Sequence, residues 1–162
     1  MRIHLLAVGT RMPAWVQEAS TAYAARLPPH CQLLIRELAP EKRGRQADVR
    51  RIREREGSRL LAAIPDGCLV IALDVQGRSW STEKLAGELE QWLQSGRDVA
   101  LLVGGPDGLS AACLARADLR WSLSALTFPH PLVRVILAEQ LFRAWSILAN
   151  HPYHRGDQTG YQ

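Results

Sequence analysis

The sequence predicts an α/β protein, a mostly parallel sheet of about five strands flanked by helices. Three observations carry that reading. Short apolar runs of strand length alternate with longer segments of helical spacing along the chain. Two of the runs, Cys68–Asp74 (CLVIALD) and Asp98–Val103, are apolar almost throughout, as in strands buried on both faces of a parallel sheet. The second opens into a loop of small residues, Gly104 to Gly108, the kind of place where such sheets bind ligands.

Taken in order, Ile3–Val8 is the first strand, ended by Gly9-Thr10, and Pro13 suits the first turn of a helix. Ala14–Leu27 carries helical spacing through Trp15, Ala19, Ala22, Tyr23 and Leu27, and Pro28-Pro29 stops it. Cys31–Leu38 is a second strand, and Pro40–Gln46 a charged loop with Gly44 that reads as a mobile arm. Ala47–Ile64 is a charged helix with a narrow apolar side (Val49, Ile52, Leu60, Ile64), and Asp48 suits its positive end. After the turn Pro65-Asp66-Gly67 and the strand Cys68–Asp74, Ser81-Thr82 opens a helix that runs to about Gln94 and closes at Ser95-Gly96. Asp98–Val103 follows, then a short helix Ala111–Ala117 capped by Ser110, a last strand Arg120–Ala125, and a loop Thr127–Pro131.

The final helix, Leu132–Ala149, has few charged or amide residues: Arg134, Glu139, Gln140 and Arg143. A helix apolar nearly all round must be buried on more than one side. One side can face the sheet, and the other is expected to meet a second copy, giving a homodimer.

With 162 residues, the chain has the size of one domain, expected over 1–155, with 156–162 a loose tail. No run approaches the roughly 18 uncharged apolar residues of a membrane span. The N-terminus reads as a strand rather than a signal peptide, so the expected location is cytoplasmic. Cys31, Cys68 and Cys113 are widely spaced and lack ligand spacing, which fits buried free thiols in a reducing compartment.

The net charge of +4 is uneven: residues 1–60 carry +6 and residues 61–162 carry −2. The excess peaks in Lys42–Arg59. It reads as a grip on a polyanion, or as a solvated helix laced with pairs such as Arg50–Glu54.

Three stretches could carry chemistry. GGPDG at Gly104–Gly108 lets a ligand approach bare backbone, although it is neither GxGxxG nor a P-loop and a simple turn also accounts for it. Leu123, Ser124, Ala125, Leu126, Thr127 and Phe128 could line an apolar slot suited to a flat heterocycle such as adenine, or could simply lead a strand into a helix. HPYHR gathers His151, Tyr153, His154 and Arg155, either as a polar tail or for substrate handling: arginine to phosphate, tyrosine to a base, histidine as proton acceptor. No metal site is expected, because no carboxylate or cysteine lies at a supporting spacing. The absence of a serine nucleophile elbow, paired-carboxylate motif or HExxH argues against a hydrolase.

Together these stretches resemble the ribosomal large-subunit RNA pseudouridine N3-methyltransferases (the RlmH family) of the SPOUT superfamily. The resemblance rests on LLAVGTRMPAWV near the start, KRGR at Lys42–Arg45, VIALDVQGRSW at Val70–Trp80, LLVGGPDGLS at Leu101–Ser110 and the long run Trp121–Arg155. The chain departs from the family's pattern in the added tail, Gly156–Gln162.

The resemblance implies a C-terminal trefoil knot, against the rule that chains do not thread loops. It implies S-adenosylmethionine held by Leu73, by Gly104 with Gly105, and by Leu123 through Phe128. It implies a homodimer joined through the knot region, and assembled ribosomes as substrate, gripped by Lys42, Arg43, Arg45, Arg50 and Arg51. His154 and His130 are the candidates to accept the N3 proton, Arg155 to hold phosphate and Tyr153 to stack, with the tail able to act across the dimer. The rival readings are a SPOUT enzyme acting on transfer RNA, a non-enzymatic ribosome- or RNA-binding protein that kept the fold, and a nucleotide hydrolase, which lacks its motif.

Overall fold

A computed structural model describes residues 1–156. In chain order its elements are β1 (Arg2–Val8), α1 (Ala14–Ala25), β2 (Gln32–Leu38), α2 (Val49–Ala63), β3 (Leu69–Ser79), α3 (Thr82–Ser95), β4 (Val99–Val103), α4 (Ala111–Arg116), β5 (Leu119–Ser122), α5 (His130–Leu148) and α6 (Tyr153–Gly156). The strands form one sheet in the order β2-β1-β4-β3-β5, with every neighbouring pair parallel.

The continuous apolar runs are explained by two covered faces. On one, Ile3, Leu5, Ile71, Val99 and Leu101 pack with Leu85 and Leu89 of α3 and Leu137 and Leu141 of α5. On the other, Leu6, Val8, Val70, Ala100 and Leu102 pack with Leu60 of α2 and Cys113 of α4. A fully buried Leu or Ile contributes about 1.5–3 kcal/mol, so every β4 side chain supports the fold whichever way it points. The helix starts follow their caps: the side chain of Asp48 accepts from Arg50 N, that of Ser81 from Lys84 N and that of Ser110 from Cys113 N.

Most element ends shift by a residue or two from expectation, and three of the differences shape the site. β3 does not stop at Asp74. It bulges outward and pairs again with β5 through Arg78↔Trp121 and Ser79↔Ser122. Gly77 makes this possible, because a Cβ there would lie 2.6 Å from the backbone of Arg120 and Trp121. β5 ends at Ser122 rather than Ala125, where the Ser122 hydroxyl donates to the Ser124 carbonyl and turns the chain off the sheet. α5 begins at His130, two residues early, with Pro131 in its first turn.

α5 packs against α1 and α3 as well as the sheet. No residue of α5 is exposed. Of the expected loose tail, residues 157–162 lie outside the described residues, while Gly156 closes α6. No helix among the described residues is long and apolar enough to cross a membrane.

Candidate active site

The bulge of β3 and the loops leaving β4 and β5 lie together at the C-terminal edge of the sheet and line a cavity of about 620 Å³. Leu73, Asp74 and Val75 contribute from β3, Gly104 to Leu109 from the glycine loop, and Leu123, Ser124, Leu126, Thr127 and Phe128 from the loop after β5. Val103 and Trp121 line it from the sheet, and His130 and Val133 from α5. Trp121 is fixed from the side by Trp80, stacked at 5.0 Å.

The glycine loop is folded back on itself. Gly108 N donates to Gly105 O at 3.0 Å, and Gly108 sits at φ +80°. A Cβ on Gly104 would lie 2.6 Å from Gly108 C, so only glycine allows this closure. In the loop after β5, the Ser124 hydroxyl accepts from Leu126 N at 3.0 Å, and Leu126 is left 70% exposed at the rim.

Two lining residues hold a buried polar atom without a hydrogen-bond partner among the described residues, Trp121 Nε1 and His130 Nδ1. Buried polar atoms are normally satisfied, so these two stand out in the wall of the cavity. Burial first, then the positive charges of Arg134 and Arg43, hold the His130 imidazole below its ordinary pKa, against an opposing pull from Glu56. Two carboxylates, Asp74 and Asp107, also line the cavity. An apolar slot with bare backbone, two acids and two unpaired polar atoms fits a ligand with a flat aromatic part and a cationic part. Among the described residues no group of three metal-ligating side chains forms.

The structure brings together most of the expected cofactor residues and His130. Ala125 is exposed and is not among the lining residues. Tyr153, His154 and Arg155 do not line the cavity. The Tyr153 hydroxyl donates to Glu139 Oε1 at 3.1 Å, and its ring meets Phe142 edge-on beneath Arg26. Burial foremost, with neighbouring Tyr23 and Glu139, pushes the Tyr153 phenol up from its ordinary pKa. His154 lies 3.3 Å from Glu83 and 3.4 Å from Arg143 Nη1, and Arg155 donates to Asn150 O at 3.1 Å.

Among the basic residues, Lys42, Arg45, Arg50 and Arg51 are exposed, and Arg50 pairs with Glu54 at 3.2 Å. Arg43 is placed differently, against Glu56 and Asp107, each at 3.0 Å. Asp74, Asp107 and Trp121 line the cavity but were not singled out from sequence as site residues. The only available signal was position, at a strand end or inside the glycine loop.

The fold and cavity define an α/β ligand-binding protein that works at the C-terminal edge of a parallel sheet. A family model described as "Predicted SPOUT methyltransferase" matches residues 1–154, and the chain belongs to the SPOUT methyltransferase family. A Thioalkalivibrio sulfidiphilus relative named ribosomal RNA large subunit methyltransferase H is 65% identical over 155 residues, covering 96% of this chain and 99% of the relative. A Methylococcus capsulatus relative of the same name is 59% identical, covering 96% of this chain and 100% of the relative. Among solved structures, a Legionella pneumophila protein described as a methyltransferase, in complex with bound cofactor SAM, superposes with a TM-score of 0.51. It is 13% identical and covers 89% of this chain and 66% of its own, a likeness of fold.

Proposed function

We propose that this chain is a methyltransferase using S-adenosylmethionine to methylate N3 of a pseudouridine in large-subunit ribosomal RNA, on assembled ribosomes in the cytoplasm. The observation that carries the reading is the single cavity formed by Leu73, the glycine loop and Leu123–Phe128. Support for the RNA class comes from the two relatives named for it, both matched over nearly their whole length. Support for the cofactor comes from the family and from the structural neighbour solved with it.

Leu73, Leu123, Leu126 and Phe128 would hold the adenine, and the glycine loop would pass close to the rest of the cofactor. Asp74 and Asp107 would face its positive charge. When bound, the cofactor supplies a methyl group on a sulfonium whose departure leaves a neutral thioether. The protein's part is to hold the N3 atom in line and to take its proton. His130 is placed for this on the cavity wall, where burial and the charges of Arg134 and Arg43 favour the neutral imidazole.

His154, Tyr153 and Arg155 remain in this account as residues of a homodimer, where the tail serves the partner subunit's cavity. Within their own chain they are held by Glu139, Glu83 and the Asn150 carbonyl. The reading includes the threaded C-terminal segment of the family. It is tested by calorimetry with S-adenosylmethionine on wild type and on Leu123→Arg, which would fill the slot. Binding lost only in the variant supports the reading, and no binding by wild type rejects it.

A further inference from the structure

The arm between β2 and α2 is fastened to the glycine loop by one side chain. Arg43 donates through Nε to Asp107 Oδ2 at 3.0 Å, through Nη2 to Glu56 Oε1 at 3.0 Å, and through Nη1 to the Glu41 carbonyl at 3.1 Å. Glu56 is 1% exposed, and its other oxygen accepts from Glu41 N at 3.0 Å. One buried carboxylate therefore holds both the arm's backbone and its guanidinium. The planar fork of arginine suits this task, because lysine cannot present several donors in fixed directions. Hydrogen bonds from both acids outweigh burial and keep Arg43 firmly charged.

The other end of the contact is the cavity wall. Asp107 and Gly105 both line the cavity. A Cβ on Gly105 would lie 3.3 Å from Glu56 Oε1 and 3.4 Å from Arg43 Nη2. Three of the five N–H donors of the Arg43 guanidinium are thus committed within the chain, two of them to carboxylates that already offset its charge. Its neighbours Lys42, Arg45 and Arg51 are exposed as well. Within the charge run, Arg43 is the residue whose guanidinium bonds to the glycine loop, through Asp107.

We propose that Arg43 is a positioning residue for the glycine loop, and that through it the basic arm and the cofactor cavity are coupled, so that binding at one strengthens binding at the other. The inference rests on the S-adenosylmethionine reading of the cavity. Coupling of this kind is reciprocal: RNA held by the arm tightens the cofactor by the same factor that the cofactor tightens the RNA.

The test uses the full chain as wild type, Arg43→Gln and Asp107→Asn. Three quantities are measured: S-adenosylmethionine affinity by calorimetry without RNA, the same affinity with unmodified ribosomes present, and the salt slope of ribosome binding. Asp107→Asn leaves the Glu56 contacts in place and guards against a misfolded Arg43→Gln. The expected result is that both variants bind the cofactor about tenfold more weakly without RNA, and that the ribosome's tightening of the cofactor, about fivefold or more in wild type, shrinks toward one. The salt slope of Arg43→Gln stays at the wild-type value. A phosphate contact would instead lower that slope by about 0.7–0.9 and leave cofactor affinity unchanged, overturning the proposal. Loss of thermal stability with cofactor affinity unchanged in both variants would reduce Arg43 to a structural residue and overturn it equally. Failure of wild type to bind the cofactor would reject the cavity reading itself, and the proposal with it.

Discussion

Arg134, on α5, donates through Nη2 to the carbonyl oxygen of Gly9 at 2.7 Å, joining the start of the last long helix to the end of the first strand across 125 positions of sequence. The same guanidinium pairs with Glu37 at 2.6 Å and is 3% exposed. Replacing it with alanine removes a charged hydrogen bond to a buried carbonyl and leaves a void. Glu37 is 36% exposed, so its freed carboxylate can return to water, which moderates the cost. Arg134→Ala is expected to lose about 2–3 kcal/mol in urea unfolding. A loss below about 1 kcal/mol would contradict the role assigned to this contact.

Gly77 and Gly104 separate stability from binding. A Cβ at either would meet backbone at 2.6 Å. At Gly77 that backbone is β5, so Gly77→Ala should push two strands apart and lower stability by about 1–3 kcal/mol. At Gly104 it is the glycine loop itself, so Gly104→Ala should chiefly weaken S-adenosylmethionine binding. Calorimetry and unfolding on both variants check the split, and similar effects at the two sites would count against it.

Histidine titration should appear in stability. The folded pKa of His130 lies below its ordinary 6.5, with burial the first cause. Unfolding therefore takes up a proton in the window beneath 6.5. The contribution is present above that pH and is lost as pH falls through the folded value. The stability of wild type should drop more steeply than that of His130→Asn between pH 7 and 5. Equal slopes would show that His130 is not desolvated.

The three cysteines are 0% exposed. Burial pushes the Cys31 thiol up to about 11, against a smaller opposite effect of the N-terminal ammonium. The native chain should give no thiol reaction with a water-soluble disulfide reagent, and three equivalents once unfolded. The linkage sign is opposite to that of His130: stability is full below pH 9 and falls as pH rises toward 11. The Cys31 share is at most about 3 kcal/mol. Cys31→Ala should flatten that fall.

Much of the fold was legible because local rules and burial agreed. The runs CLVIALD and Asp98–Val103 are buried strands, and Asp48 and Ser110 cap the helices they precede. Legibility failed where a contact crosses the chain. The β3 extension is polar, and only the backbone of β5 against Gly77 accounts for it. Arg134 was a polar exception in an apolar helix until the Gly9 carbonyl gave it a partner. Arg43 looked like one more cation in a basic run, because spacing cannot show which carboxylates lie near it in space. The cavity was read from three separate stretches, yet its two carboxylates were passed over as ordinary loop residues.

The most direct test of the account is transfer of labelled methyl from S-adenosylmethionine to assembled ribosomes lacking the modification, with free subunits and bulk transfer RNA in parallel. The account predicts label on ribosomes, mapping to N3 of a pseudouridine in the large-subunit RNA and lost in Leu123→Arg. Label on transfer RNA alone would contradict the substrate. No label on any substrate would contradict the enzyme.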